Sequence, residues 1–227
     1  MNNIAMIVAA GRGRRAGGQI PKQYVIGKKI RMLSHTIKAL LKSSKIDGLL
    51  VVINPLDIEL YMDSIYNLND ERLLGYCLGG DERTDSVKNG LKEIEKYTPK
   101  NIIIHDAARP YVSKGLIHKI LNSLRVNEAV LPVLPVVDAI WEKKYDNKTY
   151  WHVRPGPDRS NLLLAQTPQG FDYKAISAAY FKAQSHALDD IQIAYQAGIK
   201  ITTVTGDPKN KKITSKEDLE FFKGKNK

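Results

Sequence analysis

The sequence predicts an α/β fold: a mostly parallel sheet flanked by helices, with a β-hairpin arm protruding from it. Three observations predict it. Short apolar runs alternate with longer amphipathic stretches, which is the βα rhythm of a mostly parallel sheet. The first apolar run, Ile4-Ala5-Met6-Ile7-Val8, passes directly into a glycine-rich basic segment, Ala9-Ala10-Gly11-Arg12-Gly13-Arg14-Arg15. The stretch 136–157 then breaks the rhythm, with Trp141, Tyr145, Tyr150 and Trp151 around a turn at Asp146-Asn147.

Taken in order, strands are expected at 4–9, 48–53, 73–78, 101–105, 129–133 and 200–204. Helices are expected at 32–43, 57–66, 81–96, 114–124, 173–183, 188–197 and 215–222. The helix from Asp81 has acids in its first turn (Asp81, Glu82, Asp85) and Lys96 at its far end. That arrangement matches the helix dipole. Ser215 with Asp218 three residues on resembles a capping box, Asp standing for the usual Glu. The arm over 136–157 carries two tryptophans that need burial, and an isolated hairpin is marginal in water. A second subunit is the natural cover; packing on its own domain is the alternative. The Lys-rich end (Lys223, Lys225, Lys227) reads as a solvated tail.

A chain of 227 residues suits one domain, 1–227, with the arm inserted in it. Cys77 is the single cysteine, so no intrachain disulfide can form, which fits a reducing cytoplasm. No basic segment precedes the opening apolar run, so it reads as a strand rather than a signal peptide. No stretch approaches the ~18 apolar residues of a membrane span. The net charge of +11 permits nucleic-acid binding but does not show it, and no recognition motif accompanies it. The charge is unevenly placed: residues 1–46 contain ten Lys or Arg and no Asp or Glu. Beside a Gly-rich turn, that one-sidedness reads as a funnel for a polyanion, most simply a nucleoside triphosphate.

Three readings compete for the first loop. A Walker A loop needs G-x4-G-K-[ST], and no such string is present. A dinucleotide-binding turn fits Gly11-x-Gly13-x-x-Ala16, but wants an acid ~20 residues on, at the end of the second strand. That strand ends Ile53-Asn54-Pro55, without one. The third reading joins Ala9-Ala10-Gly11-Arg12-Gly13-Arg14-Arg15 to Pro21-Lys22-Gln23, a pair of strings similar to those of sugar- and polyol-phosphate nucleotidyltransferases.

Later strings narrow it. They are Gly79-Gly80-Asp81-Glu82-Arg83-Thr84-Asp85-Ser86, His105-Asp106-Ala107-Ala108-Arg109-Pro110, Thr167-Pro168-Gln169, Asp189-Asp190 and Asn210-Lys211-Lys212-Ile213-Thr214. In this order they resemble the 2-C-methyl-D-erythritol 4-phosphate cytidylyltransferase family of non-mevalonate isoprenoid synthesis, over residues 4–219. The resemblance implies a Rossmann-like nucleotidyltransferase sheet and a homodimer through the arm. It implies CTP and a polyol phosphate as substrates, Mg²⁺ as the divalent metal, and no nucleic-acid or membrane partner. A cyclodiphosphate synthase domain, fused to some members, is not expected here.

It also implies roles. Arg15, Lys22 and Lys212 would be the catalytic cations on the phosphates, with the crowded Lys209 and Lys211 as competitors of Lys212. Ala9, Ala10, Gly11, Gly13, Gly80, Asp81 and Ser86 would bind the nucleotide; Asp81 and Ser86 could equally be cap and first-turn residues. Asp106, Arg109, Arg159 and Thr167 would bind the substrate, with Arg159 reaching the neighbouring subunit's site. An Asp106–Arg109 structural ion pair is the alternative for Arg109. His105 reads as a strand-end hydrogen-bonding residue rather than a metal ligand, and the metal's ligands are expected to be mostly phosphate oxygens and water. One departure stands out: the family's Asp-Thr on the arm is Asp138-Ala139 here. The lost hydroxyl removes a hydrogen bond of on the order of 1 kcal/mol. A ribitol-5-phosphate cytidylyltransferase is therefore the runner-up, and a basic nucleic-acid-binding protein the alternative of another class.

Overall fold

The apolar runs at 4–7, 48–53 and 101–105 become strands buried on both faces. A computed structural model describes residues 1–12, 20–27, 29–146, 151–183 and 187–224. The chain begins with β1 (Asn3–Val8), the short pair β2 (Ile26–Gly27) and β3 (Ile30–Arg31), α1 (Met32–Leu41), β4 (Gly48–Ile53) and α2 (Ile58–Ile65). Next come β5 (Leu73–Leu78), α3 (Arg83–Ile94), β6 (Asn101–Asp106), α4 (Lys114–Ser123) and β7 (Ala129–Pro135). The arm strands β8 (Trp141–Asp146) and β9 (Trp151–Pro155) follow, then β10 (Leu163–Ala165) and β11 (Gln169–Asp172). The last elements are α5 (Tyr173–Lys182), α6 (Asp190–Gln196), β12 (Ile201–Thr205) and α7 (Lys216–Lys223).

One sheet runs β10-β7-β11-β6-β1-β4-β5, with β12 paired to β7. β1 lies parallel between β4 and β6, β5 is parallel to β4, and β12 is parallel to β7. β11 is antiparallel to both β6 and β7, and β10 is antiparallel to β7. Side chains alternate along each strand. Ala5, Ile7, Leu49, Val51 and Ile103 therefore pack with Leu33 and Ile37 of α1, Tyr61 of α2 and Ile120 of α4. Ile4, Met6, Leu50, Val52 and Ile104 pack on the opposite face with Leu91 of α3, Ile176 of α5 and Ile193 of α6. Fully burying such an aliphatic side chain contributes roughly 1.5–3 kcal/mol.

The six expected strands are present, each shifted by at most two residues at an end. β2, β3, β10 and β11 are additional. Gln-Gly-Phe-Asp of β11 has no apolar pattern, because the strand is slotted between two others by its backbone. A Cβ at Gly170 would lie 2.4 Å from Cγ2 of Ile120, so glycine lets α4 close onto this strand. The helix expected from Asp81 begins at Arg83, with Glu82 as its N-cap and no side-chain cap bond. The capping box of Ser215 and Asp218 is present, each side chain bonding the other's backbone N–H.

The arm forms its own two-stranded sheet, in which β8 and β9 pair antiparallel with each other. The ion pair between Glu142 and Arg154 bridges the two strands. Trp141 remains 59% exposed. Asn147 of the expected turn and Tyr150 lie outside the described residues.

Candidate active site

A cavity of about 280 Å³ opens at the carboxyl ends of the parallel strands β1, β5 and β6. Open α/β sheets place their ligands at that edge, where the chain's path across the sheet reverses. Here the reversal is at β1, since β4 follows on one side and β6 returns on the other.

The first wall is the backbone of Ala9, Ala10 and Gly11, just beyond β1. Two devices fix it. The Ala9 N–H donates to the carbonyl of Val52 at 2.8 Å. Buried Gln23 donates its amide to the carbonyls of Ala9 at 2.7 Å and Gly11 at 2.9 Å. Gln23 carries no role in the sequence reading, although it ends the Pro-Lys-Gln string that signals it.

The second wall is the turn from Gly80 to Ser86, after β5. The Gly79 N–H donates to the Ile53 carbonyl at 2.7 Å, and the Gly80 N–H donates to Ser86 Oγ at 3.2 Å. A Cβ at Gly80 would lie 2.4 Å from Cβ of Asp85, so the turn requires glycine there. Buried Ser86 therefore closes the turn from the first turn of α3, and Glu82, not Asp81, holds the cap position. Behind it, Arg83 donates to both carboxylate oxygens of Asp190 at 2.7 and 2.6 Å, and the Tyr180 hydroxyl donates to the same carboxylate. Asp190 is fully buried. Burial pulls the Arg83 guanidinium down, but the Asp190 charge outweighs it and holds the pKa above its ordinary value.

Cations and one carboxylate form the third side. Lys22 Nζ donates to the Ile213 carbonyl at 2.8 Å, bringing the first loop to the residue next to Lys212. Lys212 Nζ lies 2.8 Å from Asp106 Oδ2. Burial pushes the Asp106 carboxyl up, yet Lys212, Arg83 and Arg109 together outweigh it and hold the carboxyl down at about 2. Asp106 is therefore an anion at neutral pH, able to accept hydrogen bonds from hydroxyls. Lys211, by contrast, pairs with Asp218 at 2.7 Å outside the cavity lining, which separates it from Lys212.

Arg109 and Thr167 stand behind Asp106. Arg109 donates to the carbonyls of Asn210 at 2.8 Å and Ala165 at 3.5 Å, with Nε 3.7 Å from Asp106 Oδ2. The Asp106 N–H donates to Thr167 Oγ1 at 3.1 Å, and Thr167 Oγ1 is 3.0 Å from His105 Nδ1. Having accepted from Asp106, the threonine hydroxyl donates to Nδ1. His105 Nε2 then carries the proton and donates to the Arg109 carbonyl at 3.0 Å. The strand-end reading of His105 agrees with this geometry.

Burial pushes His105 down to about 4. The unfolded chain takes a proton on this imidazole below about pH 6.5, whereas the folded chain resists until about pH 4. Stability from neutral His105 is thus present above pH 6.5 and lost as pH falls towards 4, on the order of 3 kcal/mol in all. Urea unfolding across that window should show a steeper acid loss for the natural chain than for His105→Gln. Equal slopes would refute the buried neutral imidazole.

Nine of the expected site residues thus meet at one cavity: Lys22, Lys212, Ala9, Ala10, Gly11, Gly80, Asp81, Ser86 and Asp106. Gly13 and Arg15 lie outside the described residues. Arg159 is not in the cavity lining; it sits at the arm's base and donates to the Val137 carbonyl. Arg12, grouped with the anion funnel on sequence, instead donates to Asp57 at 2.6 Å. Among the described residues, no group of three or more His, Cys, Asp or Glu could hold a metal ion.

Comparison with known proteins points to one family. The family model for 2-C-methyl-D-erythritol 4-phosphate cytidylyltransferase (IspD) matches residues 3–223. A bifunctional IspD/IspF enzyme of Paramagnetospirillum magneticum is 39% identical over 220 residues, covering 96% of this chain and 55% of that protein. A 2-C-methyl-D-erythritol 4-phosphate cytidylyltransferase of Cereibacter sphaeroides is 36% identical over 221 residues, covering 96% of this chain and 94% of that protein. The chain thus spans about half the length of the bifunctional relatives. Among solved structures, the 4-diphosphocytidyl-2C-methyl-D-erythritol synthase of Anaerococcus prevotii superposes with a TM-score of 0.81 at 29% identity, covering 99% of this chain and 97% of that one.

Proposed function

The chain belongs to the 2-C-methyl-D-erythritol 4-phosphate cytidylyltransferase family, and we propose on that footing that it transfers CMP from CTP to 2-C-methyl-D-erythritol 4-phosphate. The products are 4-diphosphocytidyl-2-C-methyl-D-erythritol and pyrophosphate. The observation that carries this reading is the meeting of the Ala9–Gly11 backbone, the Gly80–Ser86 turn and the ammonium groups of Lys22 and Lys212 at one cavity.

In the proposed reaction a phosphate oxygen of the polyol bonds to the α-phosphorus of CTP, and the bond from that phosphorus to the bridging β-phosphate oxygen breaks. No side chain becomes covalently attached, so the residues act by positioning and by stabilising charge. Lys22 and Lys212 face the α-phosphate; Arg15, outside the described residues, is the further cation that the sequence assigns to the phosphates. Asp106 keeps Lys212 in place through the 2.8 Å contact and accepts hydroxyls of ribose or polyol. Arg109 and Thr167 fix Asp106 from behind, and Gly80, Asp81 and Ser86 offer backbone and small polar groups to the pyrimidine edge. Mg²⁺, carried in by triphosphate oxygens and water, would neutralise phosphate charge.

We read residues 1–227 as a single cytidylyltransferase domain with the arm at about 136–157, acting in the cytoplasm as a homodimer. Exposed apolar side chains along the arm and its root, Trp141, Val153, Val137 and Leu163, support that association. In the dimer Arg159 reaches the substrate phosphate of the neighbouring site. No helix among the described residues is long and apolar enough to cross a membrane.

The test is pyrophosphate release from CTP and Mg²⁺ with two acceptors. Release with 2-C-methyl-D-erythritol 4-phosphate and not with D-ribitol 5-phosphate is expected, despite Ala139. Release with D-ribitol 5-phosphate alone would transfer the chain to that acceptor and overturn the assignment.

A further inference from the structure

We infer that Arg12 is a positioning residue, paired with Asp57 to hold the Ala9–Gly11 wall in register, and not a phosphate ligand. The inference deepens the transferase reading and rests on it for its nucleotide consequence.

Arg12 is the residue after the wall formed by Ala9, Ala10 and Gly11. Its Nη1 is 2.6 Å from Oδ1 of Asp57, whose side chain is only 2% exposed. Asp57 ends the turn Pro55–Asp57 that follows β4, and it occupies the N-cap position of α2. Its carboxylate makes no cap bond there. The preceding turn is capped instead by Asn54, whose side chain accepts from the Leu56 N–H at 3.0 Å. The Asp57 carboxylate is thereby left to Arg12, its one ionic partner among the described residues.

The surroundings make that partner matter. Asp57 Oδ2 and the hydroxyls of Tyr24 and Tyr61 are all buried without a hydrogen-bond partner among the described residues. Tyr24 and Tyr61 belong to the core cluster beneath α1 and α2. A carboxylate in such a place depends on its pair, because removing one member of a buried pair leaves a charge without compensation. Gln23 clamps the same segment through the carbonyls of Ala9 and Gly11. The wall is therefore held from both sides, by a neutral amide before Tyr24 and by an ion pair after Gly11. A guanidinium engaged in this way is withdrawn from the anion funnel that residues 1–46 suggest.

The experiment is a double-mutant cycle on the full chain, with Arg12→Ala, Asp57→Asn and the combination. Two readouts are taken: KM for CTP in pyrophosphate release, and hydrogen exchange over residues 7–12 without nucleotide. Each single variant should raise KM about tenfold while kcat stays within about twofold. The combination should be no worse than either alone, since both remove the same contact. Both single variants should also lose amide protection over the wall. Arg12→Ala alone raising KM, or a combination that multiplies to about a hundredfold, would show Arg12 acting directly on the nucleotide and overturn the inference. If Asp57→Asn does not fold, Arg12→Ala decides through exchange, because that side chain is 42% exposed and outside the core. Unchanged protection in Arg12→Ala would sink the pair. A natural chain that does not turn over CTP would refute the transferase reading, while the exchange readout would still judge Arg12 and Asp57.

Discussion

Lys22→Ala is expected to lower kcat roughly 10²–10³-fold, the scale seen when one donor to a developing charge is removed. The geometry gives Lys22 two tasks. Its ammonium lines the cavity between the Gly11 backbone and Asp106. It also donates to the Ile213 carbonyl at 2.8 Å, and so ties the first loop to the segment that carries Lys212. On the role proposed for Lys22, alanine removes a positive charge from the α-phosphate and loosens the second cation at once. Little of this belongs to the folded core, since Lys22 is only partly buried and its neighbours Gln23 and Tyr24 keep their packing. The melting temperature should therefore shift little while turnover collapses. Single-turnover pyrophosphate release and circular dichroism melting on the same preparation check both halves. A variant with near-normal kcat would remove Lys22 from the catalytic group.

The parts of the fold legible in sequence were those written as a short run of mostly apolar residues, fully buried in β4 and partly exposed in the edge strand β5. Gly48–Ile53 and Leu73–Leu78 are the observed β4 and β5, residue for residue. The antiparallel strands β10 and β11 were less legible. Leu163–Ala165 is only three residues long, and Gln169–Asp172 is placed by backbone pairing to β6 and β7 rather than by side-chain pattern. The same division holds in the site. Residues contributed by backbone and short strings, such as Ala9 to Gly11 and Gly80 to Ser86, were visible because a tight turn demands particular residue types. The supports were not. Arg83 and Asp190 are 107 residues apart and meet only when α3 and α6 both pack against α5. Arg12 looked like one more cation of a basic loop until its partner 45 residues on, Asp57, was placed beside it. Charge composition says how many cations a segment has, whereas only tertiary structure says which remain unclaimed by the protein itself.

Asp190→Ala should produce the largest loss of stability among the site's supports, about 3 kcal/mol. Asp190 is fully buried at the start of α6 and receives three hydrogen bonds, two from Arg83 and one from Tyr180. Truncation strands the guanidinium and the phenol together, and a donor left unpaired in a buried place keeps its full desolvation penalty. Arg83 is 30% exposed on its side chain and can recover some hydration, which holds the loss to the lower end of the range for broken buried pairs. For a chain of this length the melting temperature should fall by roughly 6–12 °C. The same change reaches the cavity, because Arg83 is the first residue of α3 and lines the turn closed by Ser86. KM for CTP should therefore rise along with the loss of stability. The pair of effects can be separated. Arg83→Met with Asp190→Leu removes both charges and fills the space with apolar atoms, an exchange that is often neutral or stabilising. This double variant should recover part of the melting temperature, the Tyr180 phenol staying unpaired, yet keep the raised KM, since the turn lacks an anchored guanidinium behind it. An Asp190→Ala variant that melts within a degree of the natural chain would show that the pair does not anchor α3 to α6. A double variant with normal KM would confine the pair to stability alone.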